Sequence, residues 1–149
     1  MPMPHAPDKG KGAMYLFDTD TVIALIKENG KGALTKRIGD VPFHQQFLSS
    51  ISLSELVYGA YCSDRADYHL CMIRDVLLCN VQLVAFDVPA AYQAGRLRAD
   101  LRKQGNSIDF PDLQIAAIAL ARGLTLVTGN GRHFERISGL CLENWIKTA

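Results

Sequence analysis

Short apolar runs alternate with longer amphipathic stretches along most of this chain. The runs around Leu16, Phe47, Val84 and Leu126 are a few residues long and end at polar residues, which is typical of buried strands. The stretches between them place apolar residues three and four positions apart, as helices do. This alternation predicts an α/β fold, with a mainly parallel central sheet between two layers of helices in a three-layer α/β/α sandwich.

Turn and cap residues set the expected bounds of these elements. Strands are predicted at residues 15–17, 47–51, 81–86 and 124–128, with an edge strand within 140–145. Asp20 or Thr21 is expected to cap the first helix, Ser52 to open a later one in a capping box with Glu55, and Asp64 to cap the next. In the helix that begins near Pro89, the residues expected to face inward are Tyr92, Leu97 and Leu101.

The chain has 149 residues, enough for one domain with a buried core, and its net charge of +1 indicates no broad basic surface. Residues 1–13 are rich in Pro, Gly and Lys and lack an apolar segment. They are interpreted as a flexible N-terminal extension or a remnant of the cloning, which leaves residues 14–149 as the domain. No apolar run approaches the length of a membrane span, so no membrane association is expected.

The four cysteines are Cys62, Cys71, Cys79 and Cys141, and none forms a C-x-x-C pair. That spacing argues against a zinc site. Three of the four lie in segments that look helical, where a free thiol is expected to act as a small apolar residue. Free thiols of this kind indicate a reducing, cytoplasmic setting.

Polar side chains occur where the predicted strands end or the helices begin. Asp18 and Asn130 follow strands, while Glu55 and Asp112 open helices. Each one alone is typical of a helix cap or a turn. In a parallel sheet, however, all four positions fall on the carboxyl-terminal edge, where such folds keep their chemistry.

Three carboxylates at one edge repel each other unless a cation joins them. Mg²⁺ or Mn²⁺, which prefer oxygen ligands, are the simplest such cations. A bound ion of this kind generates hydroxide and stabilises a phosphodiester transition state. The residues themselves therefore favour metal-assisted phosphoryl chemistry.

Four stretches carry these residues, and they are Leu16-Phe17-Asp18-Thr19-Asp20, Ser52-Leu53-Ser54-Glu55-Leu56-Val57-Tyr58-Gly59, Asp112-Leu113-Gln114-Ile115-Ala116-Ala117 and Leu126-Val127-Thr128-Gly129-Asn130-Gly131-Arg132-His133-Phe134. Together they resemble the motifs of PIN-domain ribonucleases, and most of all the VapC toxins of bacterial toxin–antitoxin pairs. The resemblance extends from Met14 to Trp145. It implies a PIN-like fold and an endoribonuclease that cuts structured RNA, such as tRNA or a ribosomal RNA loop.

The resemblance also implies roles for individual residues. Asp18, Glu55 and Asp112 match the acidic positions that hold Mg²⁺ or Mn²⁺, whose activated water cuts RNA. Asn130 matches a fourth position, Asp in many relatives and Asn in others, and its neutral side chain makes tight binding of a second ion less favourable. Thr128 matches a polar residue that supports the site.

Partners and RNA contacts follow from the same resemblance. It implies a homodimer and a hetero-oligomer with a small VapB-like antitoxin that blocks the acidic site. The apolar helices around Tyr58, Leu70, Ile73 and Leu77 are candidates for some of those surfaces, although core packing is their default explanation. Residues considered for RNA contact or proton transfer, each of which is also typical of an exposed polar surface, are Arg132, His133, Arg96, Arg98, Arg102 and Lys103.

Two alternatives stay open at this point. Asp18 and Asp20 also fit the D-x-D-x-T signature of haloacid-dehalogenase-like phosphatases, as nucleophile and general acid/base. Against that alternative, the strand ending at Thr128 comes after Asp112, and Glu55 would have no role. The second alternative is a non-catalytic PIN-like interaction module, which would be expected to have lost acidic positions that this chain keeps.

Overall fold

The computed structural model of the chain describes residues 12–146, and their strands form a single parallel sheet. The strands are β1 (Tyr15–Phe17), β2 (Gln46–Ser49), β3 (Gln82–Val84), β4 (Thr125–Val127) and β5 (Leu142–Glu143). Their order across the sheet is β3-β2-β1-β4-β5, and every neighbouring pair is parallel. The parallel sheet predicted from the sequence is therefore confirmed.

Helices connect the strands, as the alternation of short and long segments predicts. They are α1 (Thr19–Glu28), α2 (Ala33–Gly39), α3 (Ser50–Cys62), α4 (Ala66–Met72), α5 (Leu78–Asn80), α6 (Val88–Lys103) and α7 (Phe110–Arg122). A π-helical turn at Ile73–Leu77 joins α4 to α5, and 3₁₀ turns occupy Phe43–Gln45 and Gly131–His133.

Alternate residues of the central strands build two separate cores, one on each face of the sheet. In β1, Leu16 packs against α6 and α7, while Phe17 packs against the helices of the opposite face. Leu126 and Val127 of β4 divide in the same way. Because successive side chains of a strand point to opposite faces, this division shows the three layers directly.

The first turns of two helices differ from the prediction. Asp18, rather than Asp20 or Thr21, is the N-cap of α1. For α3 the N-cap is Ser49, whose Oγ accepts a hydrogen bond from the Ser52 N–H at 2.9 Å. Since β2 ends at Ser49, α3 begins earlier than expected, and the predicted capping box between Ser52 and Glu55 is wrong.

Other local predictions also fail for identifiable reasons. Tyr92 is 79% exposed, because the buried face of α6 carries Ala90, Ala94, Leu97 and Leu101, and Tyr92 lies two residues from Ala90, on the other side of the helix.

The segment before α4 and the cysteines correct two further predictions. The residue that caps α4 is Arg65, not Asp64, and it makes no side-chain capping bond. Cys62, Cys71 and Cys79 are exposed rather than packed as small apolar residues.

The predicted extension at residues 1–13 falls mainly on residues 1–11, which lie outside the described part of the chain. Ala13 is already buried, and the Met14 carbonyl accepts a hydrogen bond from the Thr125 N–H at 2.8 Å. The boundary between extension and domain stays a prediction. Within residues 12–146, no helix has the length and apolar character needed to cross a membrane.

Candidate active site

Asp18 lies at the carboxyl end of β1 and is almost completely buried, with 5% of its surface exposed. Its backbone N–H donates to the Val127 carbonyl at 2.9 Å, which continues the pairing of β1 with β4. Both carboxylate oxygens accept hydrogen bonds at 2.8 Å, Oδ1 from the Thr19 N–H and Oδ2 from the Thr128 hydroxyl. These contacts hold the carboxylate in one orientation at the sheet edge.

Thr128 joins Asp18 to the turn that follows β4. While its hydroxyl donates to Asp18, it accepts a hydrogen bond from the Asn130 N–H at 3.0 Å. Thr128 therefore holds the Asp18 carboxylate against this turn. Asn130 itself is exposed, and no hydrogen bond found within residues 12–146 involves its side chain. Asn130 therefore reaches the same edge, but contributes to the network only through its backbone.

Asp20 ties α1 to the same turn. Its Oδ2 accepts a hydrogen bond from the Gly129 N–H at 2.8 Å. A Cβ atom at position 129 would lie 2.9 Å from that oxygen, so the close approach favours glycine there. The contact places a second carboxylate beside Asp18.

Glu55 reaches the site through a threonine that the sequence did not single out. Its Oε1 accepts a hydrogen bond from the Thr19 hydroxyl at 2.8 Å, and the Thr19 N–H donates to Asp18. Thr19 therefore bridges the two carboxylates. Ser52, one helical turn before Glu55 and so on the same helix face, has a buried hydroxyl without a hydrogen-bond partner in the described part of the chain.

Asp112 comes from the opposite face of the sheet, in the first turn of α7. Asp109 is the N-cap of that helix but makes no side-chain capping bond. The Oδ2 of Asp112 lies 3.1 Å from Nδ1 of His133, which belongs to the turn after β4. His133, considered from the sequence as a general acid, therefore lies against a predicted metal ligand.

The carboxylates influence each other's ionisation. The pKa of Asp18 is raised to about 6, mainly by burial and also by the charges of Asp20 and Asp112, against the hydrogen bond from Thr128. Burial also raises the pKa of Asp112, while the contact with His133 lowers it. Asp18, Asp20 and Asp112 are therefore close enough to repel one another.

No group of three His, Cys, Asp or Glu side chains within residues 12–146 is already arranged to hold a metal ion. Repulsion between carboxylates opposes such an arrangement when no cation is present, and Glu55 is turned towards Thr19. The chemistry of the donors nevertheless fits a hard divalent cation, because Asp18, Glu55 and Asp112 offer only carboxylate oxygens.

The remaining predicted residues lie around this centre. Arg132 is exposed on the turn that carries His133. On α6, Arg98 lies over the ring of Phe110, with the guanidinium carbon 5.6 Å from the ring centroid, and Arg96 donates to Gln93 at 2.8 Å. Of the predicted basic face, Arg98 therefore lies beside α7, the helix that carries Asp112.

Replacing Thr128 by Val should destabilise the fold by about 1–3 kcal/mol, because it leaves a buried carboxylate oxygen of Asp18 without its donor. Urea denaturation measures the change. Thr128→Ser keeps the hydroxyl and is the matched control. A valine variant as stable as the serine variant would show that the hydroxyl does not support Asp18.

Comparison with known protein families shows a match to the PIN domain over residues 15–140. The chain is 34% identical over 132 residues to the tRNA(fMet)-specific endonuclease VapC of Shigella flexneri, covering 89% of this chain and 99% of the relative. It is 35% identical over 136 residues to ribonuclease VapC2 of Haemophilus influenzae, covering 89% and 98% of the two chains.

A solved structure has the same fold. The chain superimposes with a TM-score of 0.82 on a chain in the crystal structure of DNA-bound VapBC from Salmonella typhimurium. The two are 33% identical, and the match covers 89% of this chain and 98% of the other. The match to the PIN domain therefore includes β1 to β4 and all the site residues described above.

Proposed function

Since the chain belongs to the PIN-domain family and is a ribonuclease of the VapC type, we propose that Asp18, Glu55 and Asp112 form its catalytic centre. The observation that carries the proposal is the buried Asp18 carboxylate, fixed by Thr19 and Thr128 and surrounded by further negative charge. Burying a carboxylate beside other carboxylates is unfavourable unless a cation is bound. Perturbed acids of this type are typical of functional sites.

PIN-domain nucleases in general use divalent metal ions, and the finer proposal is that Mg²⁺ or Mn²⁺ binds here. When bound, the ion would supply hydroxide and stabilise the negative charge that develops on the phosphodiester. Asp18, Glu55 and Asp112 would hold it. Thr128 orients Asp18, and Thr19 positions Glu55 beside Asp18. Asn130 adds no charge, so the centre carries one carboxylate fewer than relatives with Asp at that position.

The proposed substrate is structured RNA, such as tRNA or a ribosomal RNA loop. The Shigella flexneri relative is a tRNA(fMet)-specific endonuclease, and this chain is 34% identical to it. A net charge of +1 cannot hold long RNA by bulk attraction, so local contacts must select the substrate. Exposed loops with unpaired bases are the RNA features that proteins read most readily.

The proposed partners are a VapB-like antitoxin, as in the VapBC complex of Salmonella typhimurium, and a second copy of the chain. Of the residues expected to form these surfaces, Tyr58 is 72% exposed and available for contact. Ile73 and Leu77, in the π-helical turn, are buried, as the default explanation of core packing predicts. Light scattering tests the dimer, and a monomer at micromolar concentrations would contradict it.

The phosphatase alternative loses its basis in the geometry. Asp20 binds the Gly129 N–H as part of the turn, and Asp18 is the N-cap of α1. The match to the PIN domain also covers β1 to β4 and the helix that carries Glu55, a residue without a role in the phosphatase signature.

Incubating the purified chain with total RNA and Mg²⁺ should produce new ends at one or a few positions in structured RNA. Sequencing of the RNA ends measures this. EDTA should remove the cleavage and an excess of Mg²⁺ should restore it, because the proposed centre has only carboxylate ligands. Cleavage that persists in EDTA would contradict the metal-dependent centre, and equal degradation of all RNA would contradict the proposed selectivity.

A further inference from the structure

A cavity of about 350 Å³ opens beside Asp112. The end of α6, the loop before α7 and the turn after β4 enclose it. Its apolar lining comes from Leu101, Ile108 and Ile137. The volume lies near the lower end of ligand-binding cavities, which run from about 300 to 1,000 Å³. The cavity therefore has room for a group about as large as one nucleotide.

Two arginines give the cavity its charge. Arg136 is held in place by Asn106, whose Oδ1 accepts from the guanidinium at 2.9 Å. Arg132 lines the same cavity and makes no hydrogen bond or ion pair within residues 12–146. Two acids lie on the cavity wall. Asp112 is paired with His133, and Asp109 forms no ion pair with either arginine within residues 12–146. Both guanidiniums therefore remain available to an anion.

Several other arginines of the fold lie against carboxylates. Arg74 pairs with Asp75 at 2.7 Å, and Arg122 pairs with Asp87 at 3.2 Å. The arginines of the cavity differ because neither forms an ion pair with a carboxylate within residues 12–146, although Asp109 and Asp112 line the same cavity. Guanidinium groups bind phosphate through paired, charge-assisted hydrogen bonds.

We propose that this cavity binds one unpaired nucleotide of the RNA next to the bond that is cut, with Arg132 and Arg136 on its phosphate. The inference rests on the proposed function, since an RNA strand bound at the carboxylates has to pass Asp112. The apolar lining suits the flat faces of a ribose or base. A volume of about 350 Å³ suits a single nucleotide better than a base pair, so the proposed occupant is unpaired.

Arg132→Gln is the sharpest test, because Arg132 makes no contact whose loss would disturb the described fold. The probe is a fluorescein-labelled single-stranded RNA of ten nucleotides, bound in EDTA and followed by fluorescence anisotropy. The variant should bind about tenfold more weakly than the unchanged chain. The slope of log affinity against log salt should also become shallower by about 0.7, the contribution of one phosphate contact.

Arg122→Gln is the matched control, with the same charge change at the far end of α7. It should leave both the affinity and the salt slope unchanged, since its exposed ion pair contributes little to stability. Arg132→Lys should recover part of the lost affinity, because it restores the charge without the paired hydrogen bonds. Arg136→Gln should weaken binding in the same way, with a melting curve to show that the fold is kept.

Cleavage and duplex binding complete the test. With Mg²⁺, Arg132→Gln should raise KM about tenfold and leave kcat within twofold, as expected when binding alone is lost. When the RNA is annealed to its complement, the difference between the unchanged chain and Arg132→Gln should disappear. An equal loss on duplex RNA would overturn the requirement for an unpaired nucleotide.

These experiments distinguish a failure of the cavity assignment from a failure of the proposed function. If the unchanged chain binds and cuts RNA while Arg132→Gln and Arg136→Gln do the same equally well, the cavity is not a nucleotide site and the ribonuclease centre stands. If the unchanged chain neither binds the ten-nucleotide RNA nor cuts any structured RNA in total RNA with Mg²⁺, the proposed function and the cavity assignment are both overturned.

Discussion

Replacing Asp18 by Asn is expected to make the metal-free protein more stable while reducing RNA cleavage at least about a hundredfold. The two effects have one cause, because the fold holds Asp18 as a buried carboxylate among other carboxylates. An amide of nearly the same shape removes the charge that opposes folding. It also removes the charge that the proposed ion requires, and an ion of this kind contributes several kcal/mol to the transition state.

The sign of the stability change follows from the pKa of Asp18. Burial and the neighbouring carboxylates raise that pKa to about 6, from 3.8 in the unfolded chain. The folded state therefore binds the proton more tightly, and stability falls as the pH rises from about 4 to about 6. Above that window the ionised Asp18 destabilises the metal-free fold by about 3 kcal/mol, and Asp18→Asn should recover much of this.

Thermal melts with EDTA and with Mg²⁺ measure both halves of this prediction. The melts in EDTA are run at about pH 7.5, roughly one and a half units above the Asp18 pKa of about 6. There Asp18→Asn should have a higher melting temperature than the unchanged chain. Mg²⁺ should raise the melting temperature of the unchanged chain by mass action and leave that of the variant unaltered. Asp64→Asn, at an exposed position between α3 and α4, is the control. A variant that melts lower in EDTA, or that still cuts RNA, would contradict the prediction.

The position of the site could be predicted from the sequence because it depends on strand ends. Asp18 directly follows an apolar run that becomes β1, and Thr128 directly follows the run that becomes β4. Parallel strands bring their carboxyl ends to one edge, so local patterns were sufficient to place both residues there. Pairing of β1 with β4 then brings the two side chains to 2.8 Å.

The contacts between residues distant in sequence could not be predicted in this way. Thr19 and Glu55 are 36 positions apart, and Asp112 and His133 are 21 apart. Each contact depends on how the start of a helix is placed relative to another segment. The spacing of residues within one segment does not predict that placement. His133 in particular looked like a separate functional residue until the fold placed it on Asp112.

The incorrect capping box shows a different kind of failure. Ser49 and Ser52 are both good N-cap residues, and the apolar run before them does not say where β2 ends. In the structure Ser49 is the N-cap, and its hydroxyl accepts a hydrogen bond from the Ser52 N–H. Glu55 consequently lies beyond the first turn of α3, where its side chain is available to Thr19 rather than to the helix end.

Phe134→Ala should destabilise the protein by about 3–5 kcal/mol, the usual range for emptying a buried aromatic site. Phe134 is completely buried, and it packs in the core cluster that also contains Ile115 and Leu126. A loss of this size is a large part of the total stability of a domain, which is about 5–15 kcal/mol.

The same substitution should also damage the catalytic centre, because Phe134 fixes the turn that carries Arg132 and His133. Its N–H donates to the Gly131 carbonyl at 3.0 Å, and its own carbonyl accepts from the Ile137 N–H at 3.0 Å. Without the ring in the core, the contact between His133 and Asp112 loses its support. Cleavage by the folded fraction should therefore fall as well.

Urea denaturation at constant pH measures the stability, and cleavage at a temperature where the variant is folded measures the second effect. Phe110→Ala is the matched control, because Phe110 is 54% exposed and its loss should change stability far less. Phe134→Leu refills part of the cavity and should fall between the two. Equal stability of Phe134→Ala and Phe110→Ala would contradict this prediction. It would mean that backbone hydrogen bonds alone hold the turn, and that packing of Phe134 does not position His133 against Asp112.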